Sequence, residues 1–453
     1  MSARPHVVII GGGFGGLKAA QALKKAPVDV TLVDRRNFHL FQPLLYQVAT
    51  GSLSPGEIAA PLRGVLSKQR NARVLLGDVV EVNPETNSVL LADGAIIRYD
   101  FLIVAAGTQS SYYGHEEWRQ WAPSLKSIEE AIDIRHKILY AFEVAERISD
   151  SATRTSWLTF VIIGAGPTGV ELAGAIGEIA RQTLRNDFRS IRPEEAQIIL
   201  MDGVSRVLTP YPEELSRKAT AALERLGVQV RTGVMVKGID REGVTFTQGS
   251  TEVHLDARTV LWAGGVAAPP LAMALAKSTG AETDKSGRIK VGPDLTVSRF
   301  PNLFVIGDLA ISVDRSGKPL PGLAQVAMQG GTYAAKSIAK RIKTAQALPP
   351  FKYFDKGSMA VIGRANAVAN AFGVKLSGIF AWVVWAFIHL MYIVQFESRL
   401  LVFVQWAFQN LTFSRSSRLI TGSTTTDFNF NQELAAQRSK PIVEKSPLTL
   451  SAR

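Results

Sequence analysis

Two glycine-rich loops, each set between a short apolar run and a helical stretch, limit this chain to few folds. Residues 7–10 (VVII) read as a strand and lead into Gly11-Gly12-Gly13-Phe14-Gly15-Gly16. Leu17–Lys25 then reads as a helix, and Val28–Val33 as a second strand that ends at Asp34. In a strand–GxGxxG–helix–strand–acid unit each conserved feature of the pattern has a physical task. Gly11 permits the tight turn, Gly13 lets a pyrophosphate approach the backbone, and Gly16 lets helix and strand touch. The helix N-terminus offers free N–H groups to phosphate, and an acid at the position of Asp34 accepts from ribose hydroxyls.

The unit recurs. Phe160–Ile163 reads as a strand, Gly164-Ala165-Gly166-Pro167-Thr168-Gly169 repeats the loop, and a helix follows from about Val170. A strand at Ile198–Met201 ends at Asp202. Asp202 lies 33 residues past Gly169, where about 20 is usual, so Arg181–Ala196 reads as an insertion. One such loop alone is weak; two in matching contexts point to two different dinucleotides.

Later runs complete both units. Asp100–Thr108 (DFLIVAAGT) and Asn302–Ala310 (NLFVIGDLA) read as strands that run into small-residue turns, the second through Gly307-Asp308. Thr259–Trp262, followed by Ala263-Gly264-Gly265, closes the middle unit. Such strand ends converge on a ligand at the carboxyl edge of a doubly wound sheet. The expected fold is α/β: two Rossmann-like dinucleotide-binding domains, the second inserted in the first, plus a C-terminal membrane-associated helical region. The expected boundaries are 1–115 with 290–345, 116–289, 346–421, and a mobile polar tail over 422–453.

Composition removes much alternative chemistry. There are no cysteines, so no disulfide framework, redox dithiol, thiolate nucleophile or cysteine-ligated cluster exists. Six histidines without a ligand-spaced cluster give no reason to expect a zinc site. The net charge is +12, which calls for an anionic partner. From Lys336 to Arg418 there are eleven Lys or Arg against two Asp or Glu. That stretch also holds Gly378–Phe396, free of Asp, Glu, Lys and Arg, and a second apolar run, Leu400–Phe408. Three readings fit: a buried core helix, a membrane span, or a helix pair lying in one leaflet. Two runs broken by a charged turn favour the last. Trp382, Trp385 and Trp406 are then expected at headgroup level, with Lys375, Arg399, Arg415 and Arg418 toward anionic lipid. No aromatic-plus-basic recognition module is visible, so no nucleic-acid partner is expected. His6 already enters a strand, leaving no room for a signal peptide, so the cytoplasmic side is expected.

The chain resembles the two-dinucleotide-binding flavoprotein oxidoreductases. Phe41-Gln42-Pro43-Leu44-Leu45-Tyr46, Gly169-Val170-Glu171-Leu172-Ala173-Gly174, Ala324-Gln325-Val326-Ala327-Met328-Gln329 and Asp355-Lys356-Gly357-Ser358-Met359-Ala360 are similar to the type II NADH dehydrogenases. So are Leu376-Ser377-Gly378, Ala381-Trp382, Trp385 and Arg418-Leu419-Ile420. The resemblance spans about residues 5–421. It implies a single-chain NADH:quinone oxidoreductase that does not pump protons. It further implies non-covalent FAD, NADH, a membrane quinone, a peripheral seat on the cytoplasmic face of the cell membrane, and a homodimer. It assigns FAD to Gly11, Gly13, Phe14, Gly15, Gly16, Asp34, Gln42, Pro43, Leu44, Val80, Ala106, Gly107, Thr108, Gly307, Asp308 and Ala324. It assigns NADH to Gly164, Gly166, Pro167, Thr168, Gly169, Asp202, Ala263, Gly264 and Gly265.

Four residues are candidates for the chemistry. Glu171, expected on the first helical turn, is placed by the resemblance beside nicotinamide and flavin; helix-dipole stabilisation is the bland alternative. Gln325 and Gln329, four apart, share a helix face and can serve a quinone carbonyl, the flavin edge, or simple polar packing. Lys375 is either a charge near the acceptor's way in or a snorkelling lysine. Two other functions stay open: a reductase of a small electron-carrier protein, and a redox-sensing flavoprotein. Asp202 favours NADH over NADPH, because a carboxylate there repels a 2′-phosphate.

Overall fold

The computed structural model describes residues 4–314, 316–412 and 415–421. The tail expected from 422 lies outside the described residues. The first sheet has six strands in the order Thr296–Val297, Phe300–Val305, Phe101–Val104, His6–Ile10, Asp29–Asp34 and Ala72–Leu76. All pairs are parallel except Thr296–Val297 against Phe300–Val305. The chain leaves His6–Ile10 toward one edge and later returns to its other side, so the first glycine loop sits where the strand order reverses.

The second sheet repeats this plan with Val228–Thr232, Gln197–Asp202, Thr159–Ile163 and Thr259–Trp262, all parallel. Each of the two sheets is accompanied by a three-stranded antiparallel meander, Val79–Asn83 to Ile96–Arg98 and Val234–Ile239 to Thr251–Asp256. These strands are short apolar runs rich in Val, Ile and Leu. The central strands His6–Ile10 and Thr159–Ile163 are buried on both faces, as parallel strands under helices must be.

Glycines fix how the helices meet. A Cβ on Gly331, in the long helix Ala324–Thr344, would collide with the Gly15 carbonyl oxygen, so that helix and Phe14–Ala22 touch backbone to backbone. A Cβ on Gly174 would collide with the Ile362 carbonyl oxygen. This close approach packs helix Pro167–Glu178 directly on strand Ser358–Gly363 of a third, antiparallel sheet. That sheet continues through Asn366–Ala371 and Val374–Ser377 and hands over to two helices.

The 19-residue apolar run belongs to a pair of helices, as its break by a charged turn suggests. Helix Gly378–Tyr392 stops before Ile393, whose carbonyl accepts from Arg399 Nε at 2.6 Å, and Phe396–Thr412 begins a second helix. Among the described residues no helix is long and apolar enough to cross a membrane. The outer face of the pair is apolar and exposed, with Phe380 at 76% and Leu411 at 80%. Exposed apolar surface on this scale marks an interaction face. The inner face is bolted to the first unit by side chains: Gln405 to Glu57, Trp406 to Gln47 and Gln409 to the Ser52 carbonyl.

Two expectations about this region are corrected. Trp385 and Trp406 are 1% and 6% exposed and face inward, not toward headgroups. Arg415 is buried, donating to the Thr50 carbonyl and pairing with Glu178 at 2.9 Å, while Arg418 pairs with Asp187 at 2.5 Å. Apolarity and charge set how much of a residue is buried, not which neighbour buries it.

Candidate active site

Both glycine loops take the same shape. Gly11 and Gly164 have φ of +98° and +109°, where an L side chain is strained. Their N–H groups donate to the Val33 and Met201 carbonyls at 2.8 and 2.7 Å. A Cβ on Gly16 would collide with the Gly11 carbonyl oxygen, and one on Gly169 with that of Gly164. Around Gly13 and Gly166, by contrast, a Cβ would meet nothing within 4 Å. Each of these two residues caps a helix, Phe14–Ala22 and Pro167–Glu178, with Pro167 opening the second. Glycines thus close the turn where backbone crowds, and leave open space in front of a helix N-terminus. This geometry fits the pyrophosphate of a dinucleotide.

The acids match as well. Gly12 N–H donates to Asp34 Oδ2 at 2.5 Å, and Ala165 N–H to Asp202 Oδ2 at 2.6 Å. Ile10 pairs with Val33 and Ile163 with Met201, so each acid lies one residue beyond the same register position. The long spacing before Asp202 is absorbed by a wide turn, Ile179–Thr183, and a short turn at Pro193–Glu195, without shifting the strand. Burial raises the Asp34 carboxyl, against hydrogen bonds from Gly12 and Arg36. Asp308 is also raised by burial, with Lys126 and Arg288 opposing.

Several of the other residues expected to hold a cofactor follow the carboxyl ends of the first sheet's strands. Gln42–Leu44 form a single turn with Leu44 buried. Ala106, Gly107 and Thr108 follow strand Phe101–Val104, and Gly307–Leu309 form the turn after Phe300–Val305. Ala324 opens the long helix. Ala263 N–H donates to the Ile163 carbonyl at 2.7 Å, which seats Ala263-Gly264-Gly265 beside the second loop. Thr168 is the second residue of its helix. Val80 occupies a bulge in the first meander and is exposed.

Glu171 requires a correction. It is the fifth residue of helix Pro167–Glu178, and the first turn holds no acid, so the helix dipole does not account for it. Burial pushes its carboxyl up to about 8, opposed by a hydrogen bond involving the Val361 backbone. It lines an open cleft with Tyr46, Gln47, Glu178, Trp382, Trp385, Trp406 and Arg415.

The chain matches the pyridine nucleotide-disulphide oxidoreductase family over residues 5–331 and the NDH2 C-terminal domain over residues 356–416. Among curated proteins it is similar to the type II NADH:quinone oxidoreductase Ndh of Mycobacterium tuberculosis, 44% identical over 424 residues. That alignment covers 92% of this chain and 90% of the relative. NdhA of the same organism is 45% identical over 426 residues, with the same coverage. This chain is a type II NADH:quinone oxidoreductase family member. Among solved structures, NDH2 from Plasmodium falciparum in complex with NADH aligns with a TM-score of 0.84 at 20% identity, covering 92% of this chain and 100% of that one. The shared fold therefore outlasts most of the sequence.

In this type II family member the other three chemical candidates do not line the cleft. Gln325 donates to the Gly357 carbonyl at 2.8 Å and accepts from Lys356 N–H at 3.2 Å. Gln329 donates to the Phe354 carbonyl and accepts from its N–H, at 2.9 and 3.0 Å. The two amides share a helix face, as their spacing implies, and fasten the segment leading to the third sheet. Lys375 lies on strand Val374–Ser377 and is half-exposed, 3.7 Å from Glu214. Sequence reasoning missed Tyr46, Gln47, Glu178 and His39. His39 is buried and donates from Nδ1 to the Gly12 carbonyl at 2.9 Å, holding the first loop from behind. The run Phe41–Tyr46 contained a signal for Tyr46; Glu178 had none.

Proposed function

We propose that the protein transfers two electrons from NADH to a membrane quinone, without pumping protons. The observation that carries this reading is the cleft. Glu171, from the helix of the second loop, there faces two C-terminal helices whose outer surface is apolar and exposed. Bound FAD supplies the two-electron relay between nicotinamide hydride and quinone, a chemistry that protein side chains do not offer.

The chain's own residues bind and orient. Gly11–Gly16 and the N-terminus of helix Phe14–Ala22 hold the FAD pyrophosphate, and Asp34 its ribose. Gly164–Gly169, Asp202 and the turn Ala263-Gly264-Gly265 hold NADH. Asp34 and Asp202 each keep one oxygen on a loop N–H, which fixes the carboxylate for the ribose. With its carboxyl pushed up to about 8, Glu171 holds its proton at neutral pH and sits close enough to that value to release and regain it. Gln325, Gln329 and the Arg415–Glu178 pair keep the C-terminal unit against the nucleotide units. The quinone headgroup enters between Glu171 and the tryptophan wall. The exposed apolar face rests in one leaflet on the cytoplasmic side, which delivers a lipid-dissolved acceptor to the cleft. Homodimer formation belongs to the same reading, on family resemblance.

The test is an anaerobic two-step assay of the flavin-loaded protein in detergent. NADH is expected to bleach the flavin, and a short-chain quinone to restore its absorbance. Bleaching without restoration by quinone would move the reading to a protein acceptor or a sensor. Absence of bound flavin would remove it.

A further inference from the structure

The cleft contains a polar relay that binding and orientation of the two dinucleotides do not require. Trp406, on the second C-terminal helix, donates its indole N–H to Gln47 Oε1 at 2.7 Å. An indole nitrogen can only donate, so this bond decides which way the Gln47 amide faces. The amide NH2 therefore meets the Tyr46 hydroxyl, at 3.0 Å. The phenol oxygen accepts, and its own proton remains to be donated. Among the described residues no acceptor takes that proton. All three side chains are buried and line the cleft that Glu171 also lines. Burial and the nearby Glu171 and Glu178 carboxyls all oppose ionisation of the phenol, so it keeps the proton it has to give.

A buried hydroxyl held by one bond, with its proton unspent beside open space, is a donor waiting for an oxygen. We propose that Tyr46 is a catalytic residue whose hydroxyl donates a hydrogen bond to a carbonyl oxygen of the acceptor, with Gln47 and Trp406 as positioning residues. This rests on the reading of the cleft as the quinone site. A quinone oxygen gains negative charge as electrons arrive, so a preoriented donor stabilises the reduced form more than the oxidised one. The donor thereby selects acceptors that carry such an oxygen. An acceptor without one, such as ferricyanide, has no use for it.

The experiment compares Tyr46→Phe and Gln47→Met with wild type, each as flavin-loaded full chain in detergent, using a short-chain quinone and ferricyanide in parallel. Tyr46→Phe is expected to lower quinone turnover by roughly tenfold or more. Flavin bleaching by NADH and ferricyanide reduction should keep the wild-type rate. Gln47→Met retains the phenol but no longer holds it, so a smaller loss confined to quinone is expected. A purely structural role would move both acceptors together. Equal loss with quinone and ferricyanide, or undiminished quinone turnover in Tyr46→Phe, overturns the proposal. A wild-type protein that reduces ferricyanide but no quinone overturns instead the acceptor reading beneath it.

Discussion

Replacing Glu171 with Gln tests the electrostatics of the cleft without altering its shape. The carboxyl is raised from an ordinary 4.5 to about 8, and burial is the main cause. Well below pH 4.5 the folded and unfolded chains both hold this proton, and the group contributes no pH dependence. As pH rises from about 4.5 to 8 the unfolded chain releases it while the folded chain retains it, so the native state loses stability progressively. Above about 8 both forms release it and the loss levels off. At about 1.4 kcal/mol per unit, the full shift amounts to at most about 5 kcal/mol, of which about 3 kcal/mol falls between pH 5 and pH 8. Glutamine carries no such term. The assay is urea unfolding of both proteins in matched detergent across that range, read as the difference between them. The variant should gain on wild type by about 3 kcal/mol from pH 5 to pH 8. An infrared band of a protonated carboxyl should also be present in wild type at neutral pH and missing in the variant. Parallel stability profiles and no such band would refute the argument that burial holds Glu171 neutral.

Two further outcomes are expected. Arg415→Ala leaves the largely buried Glu178 carboxylate without its cationic partner and should cost about 3 kcal/mol in urea unfolding, whereas Arg418→Ala, at a more exposed pair, should cost about 1 kcal/mol or less. Similar small losses in both would show that Arg415 is not the fastening of the C-terminal segment. Asp202→Ala should narrow the preference for NADH over NADPH by roughly tenfold in kcat/KM. An unchanged ratio would mean that the discriminating contact lies elsewhere.

The two glycine loops were readable from the chain because their requirements are local. A left-handed φ at Gly11 and Gly164, a backbone contact at Gly16 and Gly169, and a helix start directly afterward all lie within a few residues. Asp202 was legible by residue type and position at a strand end. Its equivalence to Asp34 was settled by strand register, since the turns at 179–195 change the path length and leave the pairing intact. The apolar helix pair was also visible, because a long charge-free run needs no partner to be recognised.

What only the tertiary structure decided is which side each residue faces and what it meets. Trp385 and Trp406 read as headgroup anchors and prove to be a wall of the cleft. Arg415 read as a lipid contact and proves to be buried against Glu178, 237 residues away in sequence. Trp406 reaches Gln47 across 359 residues. Amphipathic tryptophan and arginine satisfy membrane interface and protein interior alike, so composition does not choose between them. The choice follows from close approaches such as Gly174 on Ile362, which bring distant segments to one surface and leave their polar atoms to find each other. The sequence by itself therefore determined two glycine-rich turns at helix starts and an apolar helical segment before the polar tail. Packing between segments hundreds of residues apart made them one site, because a side chain's neighbours are set by the folded backbone around it.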